Sequence, residues 1–244
     1  MMKSSFENYI VTQCNGYART ASFTFASKAG EEYNPLLLYG DIGTGKTHLA
    51  MAIYEYIQRE YSHLNVVYIT SEDFTNEAIE NMRALNNAMT MNTFRDKYRT
   101  VDVLIFDDLD WLQNYVATRE EVLHLVDSLL ADGKKIVFTS SVCPADLFND
   151  YPRFKSRLEA FYFAPIDNPD EELIVEIIKA SIKEEDFNEN IREYLVRKCN
   201  FEIRKLQGLI NSLDMYRKIN HKDVSIAEFD DFINTSSHKY KINV

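Results

Sequence analysis

The sequence predicts an α/β fold, a five-stranded parallel sheet wrapped by helices, followed by a small all-α domain. Three observations predict it. Short apolar runs alternate with long helix-like segments up to about residue 165. Gly40, Gly43 and Gly45, three of only 7 glycines, cluster between one such run and a helical pattern. No strand-like run follows Pro165.

The first strand is Leu36-Leu37-Leu38-Tyr39. A helix follows from Lys46 to about Glu60, with Leu49, Ile53, Tyr56 and Ile57 at helical spacing. Further strands are Val66–Thr70, Val103–Phe106, Ile136–Thr139 and Phe161–Phe163. Runs apolar on both faces suit buried parallel strands covered by helices. The helix-like segments 72–98, 118–131 and 144–157 supply the crossovers. Beyond them, 170–183, 190–199, 203–219 and 225–233 read as helices. The first of these starts at Asn168-Pro169-Asp170, with acids in its opening turn. The expected boundary divides 1–165 from 166–244.

Composition excludes several classes. A chain of 244 residues that is 45% hydrophobic and 27% charged is neither disordered nor fibrous. Its 27 basic against 38 acidic residues leave a net charge of -11, which disfavours a surface wrapped in polyphosphate. A local basic strip for nucleic acid remains open. Cys14, Cys143 and Cys199 form no CxxC or Cys/His cluster, so three buried reduced thiols are expected. The histidines share no ligand spacing, and Trp111 reads as a packing residue. The acidic run Glu184-Glu185-Asp186 reads as a solvated helix end. No apolar run is long enough for a bilayer, and MMKSSFENYI has no secretory signature. A soluble, cytoplasmic chain with no membrane partner is expected.

Gly40-Asp41-Ile42-Gly43-Thr44-Gly45-Lys46-Thr47 matches the phosphate-loop pattern G-x-x-x-x-G-K-S/T in full. Glycines let backbone N–H groups turn toward phosphate oxygens, and the helix adds its positive N-terminal end. Lys46 would reach the β- and γ-phosphates of ATP, and the Thr47 hydroxyl would bind Mg²⁺. Asp107 and Asp108 end a buried strand, at the sheet edge where ligands gather in open α/β folds. Asp107 would hold the magnesium shell, and Asp108 would orient or deprotonate the attacking water. Arg153, Arg157 and Arg204 lie on helices, where position alone favours a solvated basic face over a catalytic role.

Longer stretches resemble a known family. Phe6-Glu7-Asn8-Tyr9 with Asn15-Gly16-Tyr17-Ala18, and Tyr33-Asn34-Pro35-Leu36 leading into the loop, resemble the ATPase domain of the bacterial replication initiator DnaA, within the AAA+ superfamily. Ser71–Glu77 and Phe94–Arg99 are similar to the initiator insertion, and Val101–Asp108 to its Walker B strand. Arg153-Phe154-Lys155-Ser156-Arg157 resembles the arginine-finger box, and Ile203–Gly208 the sensor-2 helix. The resemblance implies an AAA+ core over 1–165 and a helical lid over 166–244. It implies that Arg157 is a finger acting on a neighbour's ATP, with Arg153 beside it. It also implies that Arg204 reaches the γ-phosphate and that adenine sits near Tyr9 and Ile10. With Asp41, Ile42, Gly43, Thr44, Gly45, Lys46, Thr47 and His48, these make the nucleotide set. Sensor 1 is expected at Thr139 to Ser141.

Departures from the family pattern shape the functional reading. Ser141 stands where the initiators usually carry Asp. Tyr115 and Ala117 replace a Lys and an Arg that touch single-stranded DNA, so a weaker grip is expected. Ile79 retains the apolar insertion position, and Asp41 replaces a common loop glycine. No counterpart of the helix-turn-helix domain is recognised; the basic tail His238–Lys241 is too short for one. The resemblance implies an ATP-hydrolysing switch in replication initiation, slow and completed by assembly with itself or another AAA+ protein. The alternatives are a helicase loader similar to DnaC, with a helicase as partner, and an ADP-locked adaptor similar to Hda.

Overall fold

The structure is a computed structural model that describes residues 4–83, 87–182, 189–220 and 225–239. Glu184–Asp186, His221 and Tyr240-Lys241 lie outside the described residues. Among those described, β1 (Leu36–Tyr39), β2 (Val66–Thr70), β3 (Val103–Asp107), β4 (Lys135–Ser140) and β5 (Tyr162–Pro165) form one sheet in the order β2-β3-β4-β1-β5. Every neighbouring pair is parallel. The register sets Leu38 opposite Thr139, and Thr70 opposite Asp107.

Both sheet faces are buried, as a parallel sheet requires. Leu37, Leu104, Phe106, Ile136 and Phe138 point to one face, toward Phe74, Tyr98, Leu125 and Phe154. Leu36, Leu38, Val103, Ile105 and Val137 alternate with them and pack on Phe25, Leu49, Ile53 and Ile57. The covering helices are α1 (Gly16–Ser27), α2 (Lys46–Glu60), α3 (Ser71–Arg83), α4 (Asn87–Arg99), α5 (Val116–Ala131) and α6 (Pro152–Leu158). Asn34 staples the approach to β1 onto the sheet. Its side-chain amide donates to the Lys134 carbonyl at 3.1 Å, and its oxygen accepts from the Ile136 N–H at 2.9 Å.

The chain divides into two compact units, Met1–Asp167 and Asn168–Val244. The second holds α7 (Glu171–Ser181), α8 (Glu189–Cys199), α9 (Ile203–Asn220) and α10 (Ile226–Lys239). Its core is built from Ile174, Ile178, Leu195, Leu206, Leu213 and Phe229. Asp170 caps α7, its carboxylate accepting from the Leu173 N–H at 2.8 Å.

Several expectations need correction. The helix read over 144–157 is only α6. Pro152 biases Tyr151 away from helical backbone, and Phe148 adopts a positive φ of 51°. The segment before α6 is instead held by Arg119, buried on α5, which grips the Asp150 carboxylate at 2.7–3.0 Å. The pattern over 72–98 is two helices, α3 and α4. Helix α1 and a short 3-10 turn at Leu109–Asn114 have no counterpart in the sequence reading. Only Cys199 is buried; Cys14 is half-buried and Cys143 exposed. Trp111 packs as expected, but at the surface. It is 42% exposed and stacks on Tyr115, ring centroids 6.0 Å apart. No helix of the described residues is long and apolar enough to cross a membrane.

Candidate functional site

The turn between β1 and α2 is built by backbone crowding. A Cβ on Gly40 would lie 2.2 Å from the Ile166 carbonyl oxygen, so only glycine fits. That neighbour cannot retreat easily, because the Ile166 N–H donates to the Tyr39 carbonyl at 2.8 Å. Gly43 and Gly45 have φ of 85° and 103°, the left-handed region that side chains disfavour. Gly45 is the N-cap of α2, and a Cβ there would meet the Tyr9 ring at 3.2 Å. The Thr44 hydroxyl donates to the Asp41 carbonyl at 2.9 Å.

Lys46 is the first residue of α2 and is 5% exposed. Its ammonium donates to the Gly40 and Asp41 carbonyls, each at 2.8 Å. The charge is therefore held inside the loop by two neutral acceptors and the interactions around it. Asp41 is exposed and joins the loop's hydrogen bonding through its carbonyl. Ile42 is 75% exposed and Thr47 is exposed.

Tyr9, Ile10 and His48 flank the loop. The Tyr9 ring meets His48 edge-on at 5.1 Å between centroids. Its hydroxyl is buried and makes no hydrogen bond of good geometry among the described residues. Burial, then the charge of Cys14, push the Tyr9 pKa up, with Asn15 opposing weakly. His48 Nε2 lies 3.0 Å from the Ser5 carbonyl and 2.9 Å from Asn8 Oδ1. The Ser5 carbonyl can only accept, so Nε2 carries the proton. Burial lowers the His48 pKa and keeps the ring neutral at pH 7, although the Ser5 contact acts the other way. Asn15 shapes this segment by donating to the Ile10 carbonyl at 3.0 Å and accepting from the Thr12 N–H at 2.9 Å.

Asp107 ends β3 and is 2% exposed. Two hydroxyls hold it. Thr139 of β4 donates to Oδ1 at 2.5 Å, and Tyr68 of β2 donates to Oδ2 at 2.6 Å. Burial, then Asp107 itself, push the Tyr68 pKa up, so its hydroxyl remains a donor. Asp108 takes a left-handed conformation, φ 60° and ψ 51°, and is exposed. The turn sends the two adjacent carboxylates into different surroundings. The Asp108 N–H donates to the Thr139 hydroxyl at 2.9 Å, and Asp110 accepts from the Ser141 N–H at 2.7 Å. Sequence reasoning missed Tyr68 and Asp110. The one available signal, for Tyr68 alone, was a hydroxyl-bearing ring among the β-branched residues of its strand.

The phosphate-loop residues and the acidic pair share the carboxyl edge of the sheet, on β1 and β3 with β4 between them. Arg153 and Arg157 do not join them. They lie on α6, which leads into the start of β5, toward the opposite edge. Both are exposed, and Asp127 of α5 faces them, 2.5 Å from Arg157 and 3.5 Å from Arg153. Arg204 is exposed on α9 of the helical unit.

The residues fit a nucleotide phosphate group. Left-handed glycines open the loop, the first N–H groups of a helix lack intrahelical acceptors, and a lysine ammonium sits among them. Thr47 and the buried Asp107 offer the hard oxygen donors that magnesium takes.

The family model for the bacterial DnaA ATPase domain matches residues 1–162. This chain belongs to the bacterial DnaA ATPase-domain family. The chromosomal replication initiator protein DnaA of Nautilia profundicola is 38% identical over 217 residues, 88% of this chain and 48% of that protein. The chain thus spans about half the length of the curated DnaA relatives it matches. Domain III of the Thermotoga maritima replication initiation protein DnaA superposes with a TM-score of 0.85 at 32% identity, covering 94% of this chain and 95% of that one. A replication initiator DnaA bound to AMPPCP and single-stranded DNA superposes with a TM-score of 0.81 at 26% identity, over 100% of this chain and 76% of that one.

Proposed function

We propose that this chain is an ATP-dependent switch of the initiator type, acting in replication initiation or its control through nucleotide-dependent assembly. The observation that carries the reading is the pairing of one sheet edge with two chemistries: a glycine loop enclosing Lys46, and a buried carboxylate, Asp107, two strands away. The nucleotide set is Tyr9, Ile10 and residues 41–48 from the core of 1–165, with Arg204 from the helical domain of 166–244.

The Lys46 ammonium would exchange the Gly40 and Asp41 carbonyls for phosphate oxygens, so its desolvation is already met before ATP arrives. Amides of 42–46 would supply the remaining donors. Thr47 and Asp107 would hold magnesium, which neutralises charge on the β- and γ-phosphates when bound. Asp108 is exposed where a water can reach it and would orient that water or take its proton. Arg157 lies toward the edge opposite its own phosphate loop, which supports a role on a neighbouring copy or another AAA+ protein rather than on its own nucleotide. That division of labour makes hydrolysis slow in the isolated chain and dependent on assembly. Single-stranded DNA, bound in one structural neighbour, is a weaker candidate partner here because Tyr115 and Ala117 carry no charge.

The test measures oligomer size and turnover with ATP and with ADP, in wild type and Arg157→Ala. The reading expects larger assemblies with ATP, and an R157A chain that binds nucleotide but loses assembly-dependent turnover. Full turnover by a monomeric R157A chain overturns the trans-acting finger. Tightly held ADP with no turnover under any condition selects a locked adaptor instead.

A further inference from the structure

We infer that Tyr68 is a positioning residue for the reaction, acting through its hydrogen bond to Asp107 to set the carboxylate that would face magnesium. This rests on the reading of Asp107 as a magnesium-side group.

The geometry carries it. Asp107 lies at the end of β3 with a strand on each side, β2 and β4. Each neighbour sends one hydroxyl to a different carboxylate oxygen, Thr139 to Oδ1 and Tyr68 to Oδ2. A carboxylate held at one oxygen can still rotate about its terminal bond. Held at both, it cannot, and its remaining lone pairs keep a fixed direction. The Thr139 hydroxyl already belongs to the local turn, since it also accepts from the Asp108 N–H. Tyr68 reaches diagonally from two residues before the strand partner of Asp107, a distance an aromatic side chain spans. Its ring is fixed in turn by Tyr54 of α2, the helix that begins at Lys46, with centroids 6.3 Å apart. Tyr68 therefore ties the position of the buried carboxylate to the helix that follows the phosphate loop. Partners that orient metal-binding side chains typically alter metal affinity about 10- to 100-fold when removed.

The experiment uses the full chain in three forms: wild type, Tyr68→Phe and Asp107→Asn. ADP affinity is measured in EDTA, and Mg²⁺ affinity is then measured on the ADP-saturated chain. Y68F keeps the ring and its contact with Tyr54 while deleting the hydroxyl. Unchanged ADP affinity in EDTA, together with roughly 10-fold weaker Mg²⁺ binding, is the expected result. A merely structural role would not move magnesium affinity alone. Wild-type Mg²⁺ affinity in Y68F, with its loss in D107N, overturns the inference and leaves the nucleotide reading standing. Weakened ADP binding by Y68F in EDTA also overturns it, by showing a general structural role. Wild-type Mg²⁺ affinity in D107N removes the reading of Asp107, and the inference with it.

Discussion

Thr139→Val is the most informative stability test of the acidic edge. The substitution is nearly isosteric but deletes the hydroxyl that donates to buried Asp107 and accepts from the Asp108 N–H. A hydrogen bond to a charged group is worth about 1.5–3 kcal/mol, and an amide deprived of its acceptor costs about 1–3 kcal/mol more. The expected loss is therefore about 2.5–6 kcal/mol. In a chain of this size each kcal/mol shifts Tm by about 2–4 °C, so a fall of about 5–24 °C is expected. The assay is thermal unfolding of the nucleotide-free chain, followed by circular dichroism. Thr139→Ser keeps both hydrogen bonds and is expected to stay close to wild type. A loss in T139S as large as in T139V would refute the argument, because T139S keeps the hydroxyl and stability would then not follow the two hydrogen bonds. So would a T139V chain as stable as wild type.

Other substitutions probe the scaffold. Gly40→Ala places a Cβ 2.2 Å from the Ile166 carbonyl and forces backbone to move. It should lower Tm and weaken nucleotide binding together, and loss of neither would show that the β5 continuation can yield. The Arg95 hydrogen bond, then its charge, hold Glu121 below its ordinary carboxyl value of 4.5. The folded chain then binds fewer protons than the unfolded chain just below that value. This contribution is complete above about pH 4.5 and is lost as pH falls through the depressed folded value. Arg95→Gln should flatten the acid limb of the stability–pH curve, and an unchanged limb in urea titrations would contradict the pairing.

Contiguity decided what the sequence could reveal. The loop Gly40–Thr47 was legible because its residues are adjacent and sit between an apolar run and a helical period, a placement the structure reproduces as β1 and α2. The buried strands were legible because parallel strands are apolar on both faces. Helix α1 was not, because Thr20, Ser22 and Thr24 interrupt its apolar pattern. The segment 144–151 has helix-compatible residues, yet the Arg119–Asp150 pair and Pro152 decide its path. The Tyr68–Asp107 bond joins residues 39 apart, on strands whose adjacency only the fold establishes. The roles proposed for Arg157 and Arg204 rest on family resemblance, since spacing alone cannot separate a catalytic arginine from a solvated one.

The loop around Lys46 is proposed to grip the phosphates of ATP. Titration calorimetry with Mg·ATP on wild type and Lys46→Ala is the decisive measurement. One site per chain is expected, competed by ADP and abolished in K46A while the variant remains folded. Absence of binding by the wild type, or undiminished affinity in K46A, would contradict it.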